Sequence, residues 1–236
     1  DVFFGKQEIA LTGWIQALLS YPIDEKTPTY GNLNEVKILA GKSIINGDSV
    51  NESSIRLPLH AGTHIDFPKH FYLNGQTLED FPNSFWVCNS PVLINIETRN
   101  LLLMEEVVKQ LAMISEGVEP DILLIKVNND VPRNSSKYWE YNYGLHPDLA
   151  RHIKKVFPSI RIVGMNSISL TSFQHRNEGR EAHLEFLNPD SPILIIEDMN
   201  LSEVHNASNF NKIIVSPLQI NNVDGVPVSI LAEMSE

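Results

Sequence analysis

His60-Ala61-Gly62-Thr63-His64-Ile65-Asp66-Phe67-Pro68-Lys69-His70 is the stretch on which the reading turns. Three of the eight histidines of the chain and one carboxylate fall within these residues. Imidazole nitrogen and carboxylate oxygen together suit a borderline divalent ion such as zinc, manganese or iron. Backbone geometry tests the idea. On a helix His60 and His64 share a face, but Asp66 then points about 200° round from His64, at about 3.6 residues per turn. Gly62, β-branched Thr63 and Ile65, and Pro68 also disfavour a helix. In an extended chain His64 and Asp66 face the same way, whereas His60 stands about 13 Å from His64, at roughly 3.3 Å per residue. A shared ion therefore requires an extended segment bent between the two histidines, and Gly62 permits the bend. A lone histidine would be read as a surface residue or a satisfied core residue. The unit H-x-G-T-H-x-D-x-P-x-H is read as a metal site.

Beyond this segment, short apolar runs recur at Val92–Ile96, Ile122–Val127, Ile160–Val163, Ile193–Ile196 and Ile213–Val215, each bounded by Pro, Gly or Asn as buried strands are. Helical spacing falls at Leu101–Ser115, at Pro147–Val156, where a proline occupies the first turn, and in a short piece at Arg180–Leu187. Gly144-Leu145-His146 reads as the approach loop to the second of these. Strands and helices alternate in the second half, and the first half is strand- and loop-rich. That pattern predicts an α/β chain, a mixed sheet core with helices packed around it. No repeat or linker divides residues 1–236, which are read as one domain.

Composition narrows the function classes. Among 236 residues, 42% are hydrophobic and 20% charged, as in globular chains. The net charge of −11, from 29 acidic against 18 basic residues, argues against nucleic acid or an anionic membrane as a partner. Leu11–Leu19 is too short to cross a bilayer. The chain opens on Asp1 without a methionine, which leaves a processed leader open; a cytoplasmic location is the expectation. The single cysteine, Cys88, excludes an intramolecular disulfide and a cysteine-rich zinc site, and reads as a small buried hydrophobe. No G-x-S-x-G elbow is present, which disfavours a serine-hydrolase route.

The eleven-residue unit resembles the signature of the metal-dependent cyclase/hydrolase family, which includes bacterial kynurenine formamidases (arylformamidases) and isatin hydrolases. The resemblance extends over most of the chain. Ser20-Tyr21-Pro22 with Thr27-Pro28-Thr29-Tyr30-Gly31 is similar to an early family segment, and His70-Phe71-Tyr72-Leu73-Asn74-Gly75 to the continuation of the signature. Gly164-Met165-Asn166-Ser167, Glu181-Ala182-His183 and Glu197-Asp198-Met199-Asn200-Leu201 follow in the family's order. The resemblance implies a swivelling β/β/α, cyclase-like fold with a barrel-like sheet core flanked by helices. It further implies one or two divalent ions, Zn2+ or Mn2+. His60, His64 and Asp66 would hold the first ion, His183 the second, with Asp66 and Glu197 bridging. His70 matches the family's acid/base histidine, and Tyr30 falls where those enzymes set an aromatic residue against the substrate.

The implied activity is hydrolysis of a C–N amide bond in a small molecule, of the arylformamidase type found in tryptophan catabolism, by a homodimer or higher homo-oligomer. Isatin-type cyclic amide cleavage is the alternative within enzymes, and a non-catalytic metal- or ligand-binding relative the alternative outside them. The second is suggested by two lost acidic positions, now Asn166 and Thr171, and is opposed by retention of His70. The family's T-G-W reads Val127-Asn128-Asn129 here. On residues alone, Glu197 is a strand-end glutamate and His183 a helix histidine. His146, His152, His175 and His205 match nothing, with His152 read on a helix surface and His175 in a loop.

Overall fold

The computed structural model describes residues 14–128, 131–202, 204 and 210–235. Asp1, Leu11–Gly13, Asn129 and His205 lie outside them. The strands are β1 (Trp14–Leu18), β2 (Lys37–Ala40), β3 (Ser53–Arg56), β4 (His64–Asp66), β5 (Val87–Cys88), β6 (Pro91–Ile96) and β7 (Leu102–Leu103). They continue with β8 (Ile122–Val127), β9 (Gly144–Leu145), β10 (Ile162–Met165), β11 (Leu194–Glu197), β12 (Phe210–Pro217) and β13 (Gly225–Ser235). The helices are α1 (Glu105–Leu111), α2 (Ser136–Glu140), α3 (Asp148–Val156) and α4 (Arg176–Phe186).

Nine of these strands form one mixed sheet in the order β5-β12-β13-β4-β11-β10-β8-β6, with β1 also paired to β13. Strands β6, β8, β10 and β11 run parallel, with Pro91, Ile122, Ile162 and Leu194 in step. Every residue of β10 and β11 is buried, and all of β8 but Lys126. Parallel strands covered on both faces read as unbroken apolar runs for this reason. The other half is antiparallel, built on the long β13, and β12 alternates buried and open residues as a one-sided strand does. The far strand β6 comes back against β12, so the sheet curls into a nearly closed barrel, with the helices packed outside. The expected mixed, barrel-like core flanked by helices is what the chain forms.

Three expectations change at their edges. The helix expected over Leu101–Ser115 contracts to Glu105–Leu111. Ahead of it, the Asn100 side chain accepts from the Leu102 amide and donates to the Leu102 carbonyl, which holds Leu102–Leu103 extended as β7. Gly144–Leu145, expected as an approach loop, pairs with β7 instead. A Cβ at Gly144 would stand 2.3 Å from the Ser172 backbone nitrogen, so glycine lets this strand lie against the neighbouring chain. The helix expected from Arg180 begins at Arg176. Gly179 lowers the helical propensity of that first turn, yet it packs where a Cβ would meet Thr171 at 2.5 Å.

Candidate metal centre

The short strand β4 joins the two halves of the sheet. Its Asp66 lies opposite Ile195 of β11 and Gly225 of β13, and its His64 lies opposite Glu197 and Pro227. Alternation then puts His64 and Asp66 on one face, as expected of an extended segment. Gly62 takes a left-handed φ of 70°, which folds the chain back and brings the His60 ring to 5.1 Å from that of His64. Glu197, the last residue of the apolar strand β11, points to the same place, and His183 enters from α4.

Two sets of ligand atoms share Asp66, His60–His64–Asp66 and Asp66–His183–Glu197, each within 4.8 Å of one another, and a third, His60–His70–Asp224, lies beside them. The His64 Nε2 stands 3.5 Å from Asp66 Oδ1 and 3.4 Å from Glu197 Oε2. The His183 Nε2 stands 3.6 Å from Asp66 Oδ2 and 3.5 Å from Glu197 Oε1. These separations are long for hydrogen bonds, and the His64 Nε2 is buried without a hydrogen-bond partner. Donors about 2.1 Å from a common tetrahedral ion stand about 3.4 Å apart, so the spacing is that of a ligand cage. The other ring nitrogens agree: Nδ1 of His64 donates to the Gly62 carbonyl at 2.8 Å and Nδ1 of His183 to the Gly179 carbonyl at 2.8 Å. Each bond fixes a ring orientation in which Nε2 faces the centre, ready to take an ion once its proton leaves. Side chains and spacing fit a divalent ion.

Charge balance points the same way. Burial alone would push the His183 imidazole down, but Asp66 and Glu197 raise it to about 10. Burial and the Asp66 charge would raise Glu197, but His183 and His64 bring it to about 2. Burial would likewise raise Asp66, and the histidines, His60 first, hold it well below the usual range. Without a cation the cluster keeps protons on its imidazoles to offset two buried carboxylates.

A carboxylate that sequence reasoning missed completes the site. Asp224, in the turn before β13, accepts from His60 Nε2 at 2.9 Å and from His70 Nδ1 at 3.0 Å. Its signal is faint, since Asp-Gly before an apolar alternation reads as a turn. His70 itself follows β4 in a short 3-10 turn, Pro68–His70, and its ring stacks on His60 with centroids 4.1 Å apart. It lies beside the cluster, partly open to a cavity of about 500 Å³.

That cavity is also lined by Tyr30, Phe71, Arg176, Arg180 and the buried cluster. Tyr30 opens a 3-10 turn, packs at 5.6 Å against Phe173, and has its buried hydroxyl beside Arg176 without a hydrogen bond. The sequence-derived residues His60, His64, Asp66, His70, His183, Glu197 and Tyr30 thus meet at one cavity. His152 is half-buried on α3, His175 sits at the N-terminal cap of α4, and His146 precedes α3, all away from the cluster. The lost acidic positions also acquire reasons. Asn166 accepts from the Val127 amide at 2.8 Å and donates to its carbonyl at 2.9 Å, closing the end of β8 with a donor and an acceptor that aspartate cannot both supply. Thr171 places its hydroxyl 3.2 Å from His183 Nδ1.

The chain is similar to several known proteins. Cyclase-like protein 2 of Oryza sativa subsp. japonica is 26% identical over 220 residues, covering 89% of this chain and 76% of that protein. The kynurenine formamidase of Bacillus cereus is 29% identical over 181 residues, covering 76% and 78% of the two chains. Isatin hydrolase A from Labrenzia aggregata superposes with a TM-score of 0.77 at 18% identity, over 95% of each chain. The Cyclase family model matches residues 18–171, more than half of the sequence and the part that holds His60, His64, Asp66 and His70. The chain belongs to the cyclase family.

Proposed function

We propose that this protein is a metal-dependent amidohydrolase that cleaves the N-formyl bond of an aryl amide, releasing formate and an arylamine. The observation that carries the reading is the buried His64 Nε2, unpartnered and spaced as a ligand from Asp66 and Glu197, at the floor of an open cavity. His60, His64, Asp66, His183 and Glu197 would hold one or two ions, zinc or manganese, which such mixed nitrogen and oxygen donors suit. A bound divalent ion would polarise the substrate carbonyl and lower the pKa of water.

The protein's own groups do the rest. His70, with Nδ1 bonded to Asp224, presents a bare Nε2 to the cavity, takes a proton from the water that attacks the formyl carbon and delivers it to the leaving nitrogen as the C–N bond breaks. Ser169 donates its hydroxyl to Glu197 Oε1 at 3.0 Å and the Leu170 amide donates to the same oxygen at 2.6 Å, which holds that carboxylate in its ionised form and in place. Tyr30 offers a flat face for an aryl ring. Similarity to the Bacillus cereus kynurenine formamidase favours N-formylkynurenine as substrate, and the fold likeness to isatin hydrolase A keeps isatin as the second candidate. The same reading makes the chain a homodimer or larger homo-oligomer.

The test measures hydrolysis of N-formylkynurenine and isatin side by side on chain whose metal content has been determined. Faster turnover of the formamide, abolished by chelation and restored by zinc or manganese, is expected. Turnover of isatin alone would replace the formamidase reading, and chelator-insensitive turnover would sink the metal dependence.

A further inference from the structure

A single oxygen of Asp224 joins two histidines with different duties. Oδ2 accepts from His60 Nε2 at 2.9 Å and from His70 Nδ1 at 3.0 Å. His60 turns its other nitrogen, Nδ1, to Asp66 Oδ1 at 2.7 Å and so toward the cluster. Both nitrogens of His60 therefore donate in the metal-free chain, and once an ion takes Nδ1 the hydrogen that remains is on Nε2; that of His70 is on Nδ1, because a carboxylate can only accept. By contrast, His64 and His183 are oriented by backbone carbonyls through Nδ1.

The turn that carries Asp224 is built to this contact. A Cβ on Gly225 would stand 2.5 Å from His60 Cε1 and 2.9 Å from the Ile65 carbonyl, so only glycine lets the turn approach so closely. The Asp224 carbonyl accepts from the Phe67 amide at 2.9 Å, which ties the turn to the chain between Asp66 and His70. Two residues earlier, Asn222 accepts from Lys69 through its carbonyl at 3.0 Å, and its amide donates to Glu79 Oε1 at 3.0 Å. The backbone that carries the carboxylate is therefore tied to Phe67, Lys69 and Glu79.

We propose that Asp224 is a positioning residue that fixes the tautomers of both His60 and His70, pointing His60 Nδ1 into the metal cluster and His70 Nε2 into the cavity. The assignment deepens the proposed function and rests on it for the duties of the two histidines. Ring stacking at 4.1 Å alone leaves both imidazoles free to flip, and a partly exposed His70 would populate both tautomers. The shared carboxylate removes that freedom. Ligand and proton donor are thereby set by one group, and a change to it reaches both.

The test is long-range proton–nitrogen correlation NMR on zinc-loaded, histidine-labelled chain. It reads tautomers without any turnover. Nε2–H on His60 and Nδ1–H on His70 are expected, with both patterns lost or mixed in Asp224→Asn. The opposite tautomer on either ring in the wild type overturns the assignment. Kinetics give a second readout. Asp224→Asn should lower kcat on an N-formyl aryl amide about 10–100-fold, as loss of an orienting partner typically does, and should weaken retention of zinc against a chelator. With zinc held saturating, so that loss of the ion through His60 does not enter, the same substitution in a His70→Ala background should cost kcat little more. Losses that multiply under saturating zinc would overturn the His70 half of the assignment. A wild type that hydrolyses no amide would sink the proposed function, while the tautomers read by NMR would still support or overturn the positioning role.

Discussion

Asp66 belongs to two ligand sets and is 1% exposed, so it cannot be replaced by water when it is removed. Asp66→Ala should therefore abolish tight metal binding while the chain still folds; full zinc occupancy after dialysis, by elemental analysis, would sink its role as a shared ligand. The neighbouring histidines set a pH dependence. Burial alone would push His60 below its ordinary 6.5, but Asp66 and Asp224 raise it to about 10, and His183 reaches about 10 in the same way. For these raised groups, the stabilisation of the metal-free chain is complete below pH 6.5 and is lost as pH rises through about 10. Glu197 contributes above pH 4.5 and loses its contribution as pH falls through about 2. A metal ion must displace imidazole protons, so affinity rises with pH between those histidine limits and loading near neutrality releases protons. Calorimetric titration with zinc in two buffers of unlike ionisation enthalpy should give different apparent enthalpies; equal values would contradict the raised histidines.

Elements show where the sequence was legible. Runs such as Ile122–Val127 announced buried strands because every residue is apolar or nearly so, and β8 forms over those residues. The bent extended form of residues 60–66 followed from ligand geometry, and Gly62 bends as required. Strand β13 was not foreseen: Gly225, Pro227 and a charged end at Glu233 disguise its alternation, and its partners β1 and β4 lie far away in the chain. Asp224 was hidden for the same reason, since 154 positions separate it from His70 and only the β13–β4 pairing brings them together. Gly144 and Gly179 misled locally, because close approach of neighbouring chain, invisible in one sequence, dictates glycine at both. Gly144→Ala follows from that closeness. Its methyl would meet backbone at 2.3 and 2.6 Å, which no rotamer relieves, and overpacking of this kind costs about 1–3 kcal/mol. Urea unfolding should show a loss of that order with an unchanged m-value, and wild-type stability would refute the packing.

At the scale of the molecule, the hairpin of β2 and β3 stands apart from the main sheet, with every residue of both strands exposed. Ile38, Leu39, Ile44 and Ile55 are all at least 46% exposed on or beside it, and Ile45 at its turn is 92% exposed. Apolar surface gathered on one projection suits burial against a second copy. Ile45→Asp should weaken self-association by about tenfold or more, given about 1.5–3 kcal/mol for a buried isoleucine. Sedimentation velocity reads the change directly, and a wild type that sediments as a monomer at tens of micromolar would reject the hairpin as an interface.

The three residues of β4 are the seam between the antiparallel and parallel halves, and two of them, His64 and Asp66, belong to the ligand cluster. An ion bound there rivets the halves of the barrel, stabilising the native state by about 4.1 kcal/mol at a thousandfold excess over its dissociation constant. Remove it, and the seam opens locally before the parallel core does. Deuterium should then enter the amides of Ile65 and Ile196 sooner in stripped than in loaded chain, while Leu123 and Leu124 in β8 keep their protection. Amide exchange at this one strand becomes a gauge of metal occupancy, readable without substrate and without turnover.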